Sequence, residues 1–412
     1  MNKFVLITTI IFNCISSELA FGQKIIVCDQ IGSSVSKGLI AVRKGQKWGF
    51  IDTTGKLVHD YKLETTAKPY NTYTIEYKEP VYSENLFDYS KQKGLYRLLN
   101  KNLNSLTGYI FEATGEFSEG LCYVEEIKGY RQNNFLQNVP IIESYMINKY
   151  GQKVIPLGAY NTSFNSLSIV CKESRIAVFV QGKGYGYLNK KGSLTIAPKY
   201  WEASNFSDGL ASVLKANEYG EKRWGFIDTT GNVVIDFQYT YKPGNFKSGI
   251  AQVKSKDGKY GFINKKGEII IEPQYTMATD FNEGLASVSK NYDQDCKFVI
   301  NEKGEEIFEL KSEVSTNMGM IYSMNNSSGE RCNCSYFFNG FMIVKVTSPT
   351  GKSTVGFLDK NGNLALKTDF NIVSFYKDGV FYVNYTDENF KQVYGFINLK
   401  GKMILIKGES KF

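Results

Sequence analysis

Histidine is almost missing from this chain. His59 is the only one in 412 residues, so a Ser–His–Asp or Cys–His catalytic set, a histidine general base or a histidine-rich metal site would each have to pass through it. It lies after a strand-like segment, beside Asp60, and reads as a strand-end side chain. Proline is scarce too, at 8 residues against 38 glycines, so glycine supplies most of the turn signals. No long stretch holds an amphipathic helical period, which removes the helical classes. Beyond the first residues, no apolar run approaches the length that spans a bilayer. Charge of one sign is also lacking. The net +8 is a mild bias with no dense basic stripe, which argues against nucleic acid and is compatible with anionic glycans or lipid surfaces. Aromatic residues make up 14% and favour strands, so the expected class is all-β.

The beginning of the chain reads as an address label. Lys3 precedes the apolar segment Phe4 to Phe12, and Ala20-Phe21-Gly22 offers small residues before a cut ahead of Gln23. Residues 1–22 are therefore expected to be a signal peptide, and the rest an exported chain, periplasmic or extracellular. The competing reading is an ordinary buried strand. Cys14 does not suit a lipid anchor, because Phe12-Asn13 stand where small or aliphatic residues are wanted. Six cysteines then remain: Cys28, Cys122, Cys171, Cys296, Cys332 and Cys334. An even number in an exported chain permits disulfides, with connectivity left open. Cys332 and Cys334 alone cannot make a zinc site, which needs four ligands.

What is present is repetition. Arg223-Trp224-Gly225-Phe226-Ile227-Asp228-Thr229-Thr230-Gly231 has near-copies at 47–55 and 259–267. Asn or Asp, two free positions, then Gly recurs at Asp52, Asn148, Asn189, Asp228, Asn264, Asn301, Asp359 and Asn398. The first side chain can accept a hydrogen bond from the backbone two residues on, and the glycine takes a left-handed conformation. A side chain there costs roughly 1–2 kcal/mol. A glycine inside the preceding strand (Gly49, Gly186, Gly225, Gly261, Gly356, Gly395) lets another strand or ring lie close. Upstream, Phe206-Ser207-Asp208-Gly209-Leu210-Ala211-Ser212-Val213 matches segments beginning at Phe117, Phe246 and Phe281. Each repeat thus reads as three short strands with two glycine turns. The spacing is 39 residues from Tyr185 to Trp224 and 36 from Trp224 to Tyr260.

These units, Trp48-Gly49-Phe50-Ile51-Asp52 and Trp224-Gly225-Phe226-Ile227-Asp228 with Gly-Leu-Ala-x-Val upstream, resemble the bacterial WG (KWG) repeat. The resemblance is strongest over 206–305 and weak around 60–116 and 311–350. It implies a β-rich repeat protein without a shared catalytic residue. A looser similarity is to the shorter aromatic–glycine hairpins of choline-binding repeats, from which no residues carry over. About nine repeats are expected in a WG-repeat domain over 23–412, the second degenerate, with an irregular insertion near 311–336. Stacking neighbours would share a core, with Trp48, Phe50, Trp224, Phe226, Tyr260 and Phe262 inside it. The expected architecture is an open, twisted β-solenoid-like array, with β-propeller-like closure as the alternative.

No catalytic, cofactor or metal residues stand out. Gly351-Lys352-Ser353-Thr354 resembles the end of a phosphate-binding loop, but a strand follows it and the first glycine of that motif would fall on Val346. Gly182-Lys183-Gly184 lacks a dinucleotide-site context. The acids Asp293, Asp295, Glu125, Glu126, Glu305 and Glu306 read as solvated. One carboxylate or amide per turn makes a poor calcium cage. The expectation is a non-enzymatic, exported scaffold that binds a protein or a cell-envelope glycan. The alternatives are a glycan hydrolase using carboxylates from different repeats, whose acids should converge in one cleft, and a purely structural envelope protein.

Overall fold

The two glycine turns behave as local chemistry requires. In a computed structural model of the chain, Asp228 accepts from the amides of Thr230 and Asn232 at 2.8 and 3.0 Å, and Gly231 sits at φ +93°. Asp52, Asn148, Asn189, Asn264, Asn301 and Asp359 make the same pair of bonds. The turn Asn398–Gly401 lies outside the described residues. These comprise the backbone of strands between 26 and 407, and side chains chiefly in 39–60, 117–316 and 335–366.

The upstream turn is a two-residue hairpin loop. Ser207 and Leu210 bridge, and Asp208 and Gly209 between them both have positive φ, +59° and +85°. This geometry follows the right-handed twist of the flanking strands. Glu119-Gly120, Ser248-Gly249 and Glu283-Gly284 repeat it, whereas Glu173-Ser174 does so with no glycine, at +49° and +59°. Ser174→Gly is therefore expected to stabilise the chain by up to about 1 kcal/mol, since relief at the left-handed position outweighs the added freedom of the unfolded chain. A urea midpoint that falls instead would show that the serine is not strained.

Sheets follow one another along the chain, built chiefly from antiparallel strands that are adjacent in sequence. Seven have three to five strands. We call them blades 1 to 7, over residues 30–64, 171–200, 202–239, 250–275, 277–309, 314–367 and 372–407. Between blades 1 and 2 stands a wider, seven-stranded sheet over 81–156, which absorbs the second and third repeats. Most blades have a fourth strand that sequence patterning missed. It is only two residues long, as in Cys171–Lys172, Glu202–Ala203 and Met277–Ala278, too short to carry a period.

The open solenoid is overturned. The chain folds as a β-propeller, and strand Ile26–Val27 pairs in parallel with strand Met403–Lys407 of blade 7, so the two ends of the fold meet. The physical reason lies in the faces of each blade. Phe226 packs toward blade 4, with Phe246, Ala251 and Ile263, while its neighbour Ile227 packs toward blade 2, with Tyr187 and Ile196. Both faces are therefore apolar, and both require a neighbour. An open array would leave one oily face bare at each end, and a ring leaves none.

The predicted core side chains are buried: Trp48, Phe50, Trp224, Phe226, Tyr260 and Phe262. The phenylalanine that opens each upstream motif locks one blade to the next. Phe206 meets Tyr187, Phe246 meets Phe226, and Phe281 meets Phe262, with ring centroids 4.7–4.9 Å apart. Each such pair adds about 0.5–1.5 kcal/mol beyond the area it buries. Cys122 and Cys171 are free and buried, whereas Cys296 is disulfide-bonded.

Candidate functional site

Strand direction brings both glycine turns of blades 3, 4 and 5 to one end of the ring. There the acidic residue of the two-residue loop reaches into the next blade. Asp208 accepts from the Gly249 amide at 2.5 Å, Glu173 from the Gly209 amide at 2.9 Å, and Glu283 from the Gly340 amide at 2.8 Å. Glu119, on the wide sheet, accepts from the Glu173 and Ser174 amides at 2.5 and 3.0 Å. The preceding residue adds a second tie: Ser118 donates to the Cys171 carbonyl, Ser207 to that of Phe246 and Asn282 to that of Phe337. Where Ser248 replaces the acid, Lys247 pairs with Asp280 instead, at 3.5 Å.

Burial opposes ionisation of Glu119, but the amides of Ser174 and Glu173 outweigh it and hold the carboxyl below its ordinary 4.5. The same burial, with Glu119 beside it, pushes the Cys171 thiol up to about 12, so it stays a neutral donor. A depressed carboxyl contributes stability that is complete above the unfolded value and drains away as pH falls through the folded one. Glu119→Gln is thus expected to cost about 1–2 kcal/mol near neutral pH. Its denaturant midpoint should also fall less steeply than the parent's between about pH 5 and pH 3. Parallel pH profiles would remove Glu119 from this role.

The acids considered in the sequence do not meet in a cleft. Asp293 lies outside the described residues. Asp295 accepts from the Thr316 amide at 2.8 Å and from its hydroxyl, tying the start of the 311–336 insertion to blade 5. Glu305 bonds Asn301, and Glu306 pairs with Lys290. Only Glu125 and Glu126 gather with other polar groups, on the long hairpin Leu121–Gln132 and Asn138–Asn148 of the wide sheet. Tyr123 donates to Glu125 and Tyr145 to Glu126, each at 2.6 Å, and Lys128 bridges Glu126 and Glu143 at 2.7 and 3.5 Å. Burial works against Glu126, yet Lys128 and Tyr145 keep its carboxyl below the usual range, and Lys153 does the same for Glu143.

His59 sits half-buried in the outer strand of blade 1, opposite Phe50, with the two rings edge-on at 6.1 Å. Gly351 closes a hairpin loop between strands Phe341–Thr347 and Ser353–Asp359, as expected. Among the described residues, no three His, Cys, Asp or Glu side chains cluster to hold a metal ion, and no helix is long and apolar enough to cross a membrane. Exposed aromatics at the opposite end of the ring include Trp201, 57% exposed, and Tyr219, 82% exposed, while Tyr150, 62% exposed, stands in the Asn148–Gly151 turn. The sequence does not single these two out, since core tyrosines and tryptophans share their composition.

No curated protein sequence matches the chain. Among solved structures, it is similar to a eukaryotic initiation factor, with a TM-score of 0.56 at 12% identity, over 90% of this chain and 95% of that one. That likeness concerns the fold alone. BamB from Moraxella catarrhalis aligns at a TM-score of 0.35 and 10% identity, over 82% of this chain and 92% of its own. A puromycin-hydrolyzing peptidase of Mycobacterium tuberculosis aligns at 0.35 and 9%, over 89% of this chain and 57% of its own. Both fall too low to carry an argument. The family model described as "WG containing repeat" matches residues 185–219, 224–260 and 260–292, the stretch where turns, strand glycines and inter-blade phenylalanines recur most regularly. Residues 185–292 therefore carry WG repeats, and these build blades of a propeller.

Proposed function

We propose that the chain is an exported, non-enzymatic scaffold whose loops hold a protein or glycan partner. One observation carries this reading: the acids gathered at the turn end of the ring bond backbone amides of the next blade. Groups tied up in this way hold the ring together and are not free to exchange protons with a substrate. A rigid ring that presents many differing loops suits binding, because the scaffold positions the loops and the loops differ from blade to blade. Export is supported by Lys3 and the apolar segment after it, and by the bonded Cys296, which suits an oxidising compartment.

The test uses the full-length chain expressed in its producer. Mass spectrometry of the exported protein is expected to find it starting at Gln23, and capture from the cell envelope or a glycan array is expected to return a partner. Silence in both captures would favour the purely structural reading. Glycan cleavage abolished by Glu126→Gln or Glu143→Gln would overturn the non-enzymatic one.

A further inference from the structure

Lysines at the end of blades 3 and 4 opposite the turns differ from several at the turn end. At the turn end, three lysines face carboxylates: Lys190 lies 3.7 Å from Glu119, Lys247 3.5 Å from Asp280 and Lys360 3.2 Å from Glu283, while Lys149 lies 5.1 Å over Tyr150. At the other end of blades 3 and 4, lysines lie over aromatic rings. Lys222 Nζ is 3.6 Å from the centre of the exposed Trp201 ring. Lys242 lies 5.5 Å above Trp224, and Lys215 5.7 Å above Phe237. Lys254 stands 5.0 Å from Tyr241, itself 37% exposed, and 4.8 Å from Tyr260.

These positions form one surface. Trp201 donates its amide to the Leu214 carbonyl, Leu214 pairs with Trp224, and Trp224 lies under Lys242, whose chain neighbour Tyr241 meets Lys254. Among the described residues, none of Lys215, Lys222 and Lys242 pairs with a carboxylate. Of the nearby acids, Glu221 is engaged with Arg223 and Asn217 and Asp257 with Ser255, while Glu202, Glu218 and Asp236 are exposed. A ring face attracts an ammonium but does not neutralise it, so its remaining donors stay available to an anion.

We infer that this end of blades 3 and 4 binds an acidic polysaccharide, its pyranose faces lying on Trp201 and Tyr241 and its carboxylates or sulfates meeting Lys222 and Lys242. The inference rests on the scaffold reading above and names its ligand class. A neutral glycan would leave the cations without a function. Single-stranded nucleic acid favours a longer basic groove with rings at successive nucleotides. Here the one arginine at this end, Arg223, is turned to Glu221 and to the Lys222 carbonyl.

The test titrates the full exported chain, by calorimetry near 0.15 M salt, with polygalacturonate oligomers, dextran of equal length and oligo(dT). Polygalacturonate is expected to bind about tenfold or more tightly than dextran, and binding should weaken as salt rises. Lys222→Glu with Lys242→Glu should lower that affinity about tenfold, and Trp201→Ala severalfold, with unfolding midpoints unchanged. Lys191→Glu with Lys266→Glu, at the turn end, should leave it within about twofold. Equal binding of dextran, tighter binding of oligo(dT), or indifference to the Lys222/Lys242 change would each overturn the assignment. If an envelope partner is still captured in those cases, the scaffold reading stands while this surface is removed from it.

Discussion

Gly261→Ala is expected to cost about 3 kcal/mol or more, far beyond what a mid-strand glycine normally contributes. The outer strand of blade 4 does not run level with its partner. Tyr260 pairs with Tyr275 and Phe262 with Ile271, so two residues on one strand face four on the other. The surplus folds over Gly261. A β-carbon there would lie 2.6 Å from the Ile271 carbonyl oxygen and 2.7 Å from the Pro273 nitrogen. Both are backbone atoms, so no rotamer change relieves the clash. Gly186 meets the same arrangement, at 2.5 Å from the Ile196 oxygen, and Gly225 at 2.7 Å from that of Ile235. Gly129→Ala, where nothing lies within 4 Å, should stay within about 0.5 kcal/mol. Urea midpoints of the four variants decide the point, and equal values would refute a backbone role for the strand glycine.

The second large effect is expected from removing the closing strand. A chain beginning at Gln30 lacks Ile26–Val27 and bares the Met403–Lys407 edge of blade 7. The lost pairing is worth about 2 kcal/mol in backbone bonds alone, but its loss should also change how the ring opens. Hydrogen exchange should then show amides of 372–407 losing protection well before those of 202–275, whereas the longer chain should lose both together. A truncated chain with unchanged protection in blade 7 would mean that the ring closes without this strand.

Much of this fold was legible in the residues. The Asp/Asn-x-x-Gly turns formed at Asp52, Asn148, Asn189, Asp228, Asn264, Asn301 and Asp359, because their hydrogen bonds are local. Trp48 and Phe226 went inside because aromatic side chains at strand positions seldom stay wet. Closure was not legible. A repeat specifies its sheet and two apolar faces, but the wedge angle between neighbours is set by side-chain shape across the interface. The strand that completes the ring is just Ile26–Val27, which carries no pattern at all. The polar ties were half visible. An acid stands before the glycine in Glu119, Asp208 and Glu283, and it looked like ordinary turn chemistry. Its partner is an amide 41 to 57 residues away, which no single repeat reveals.

Because Ile26–Val27 precedes blades 1 to 6 in the chain and Met403–Lys407 follows them, the strand pair that seals blade 7 cannot form until all the intervening sheets have been made. Earlier blades are able to form as they emerge, but blade 7 must wait for these two distant segments to come together. A nascent or prematurely terminated product would therefore keep an unsealed flank open to mispairing or to quality-control proteases. Sealing of the ring is thus coupled to synthesis of its seventh blade, the moment at which that flank stops being sticky.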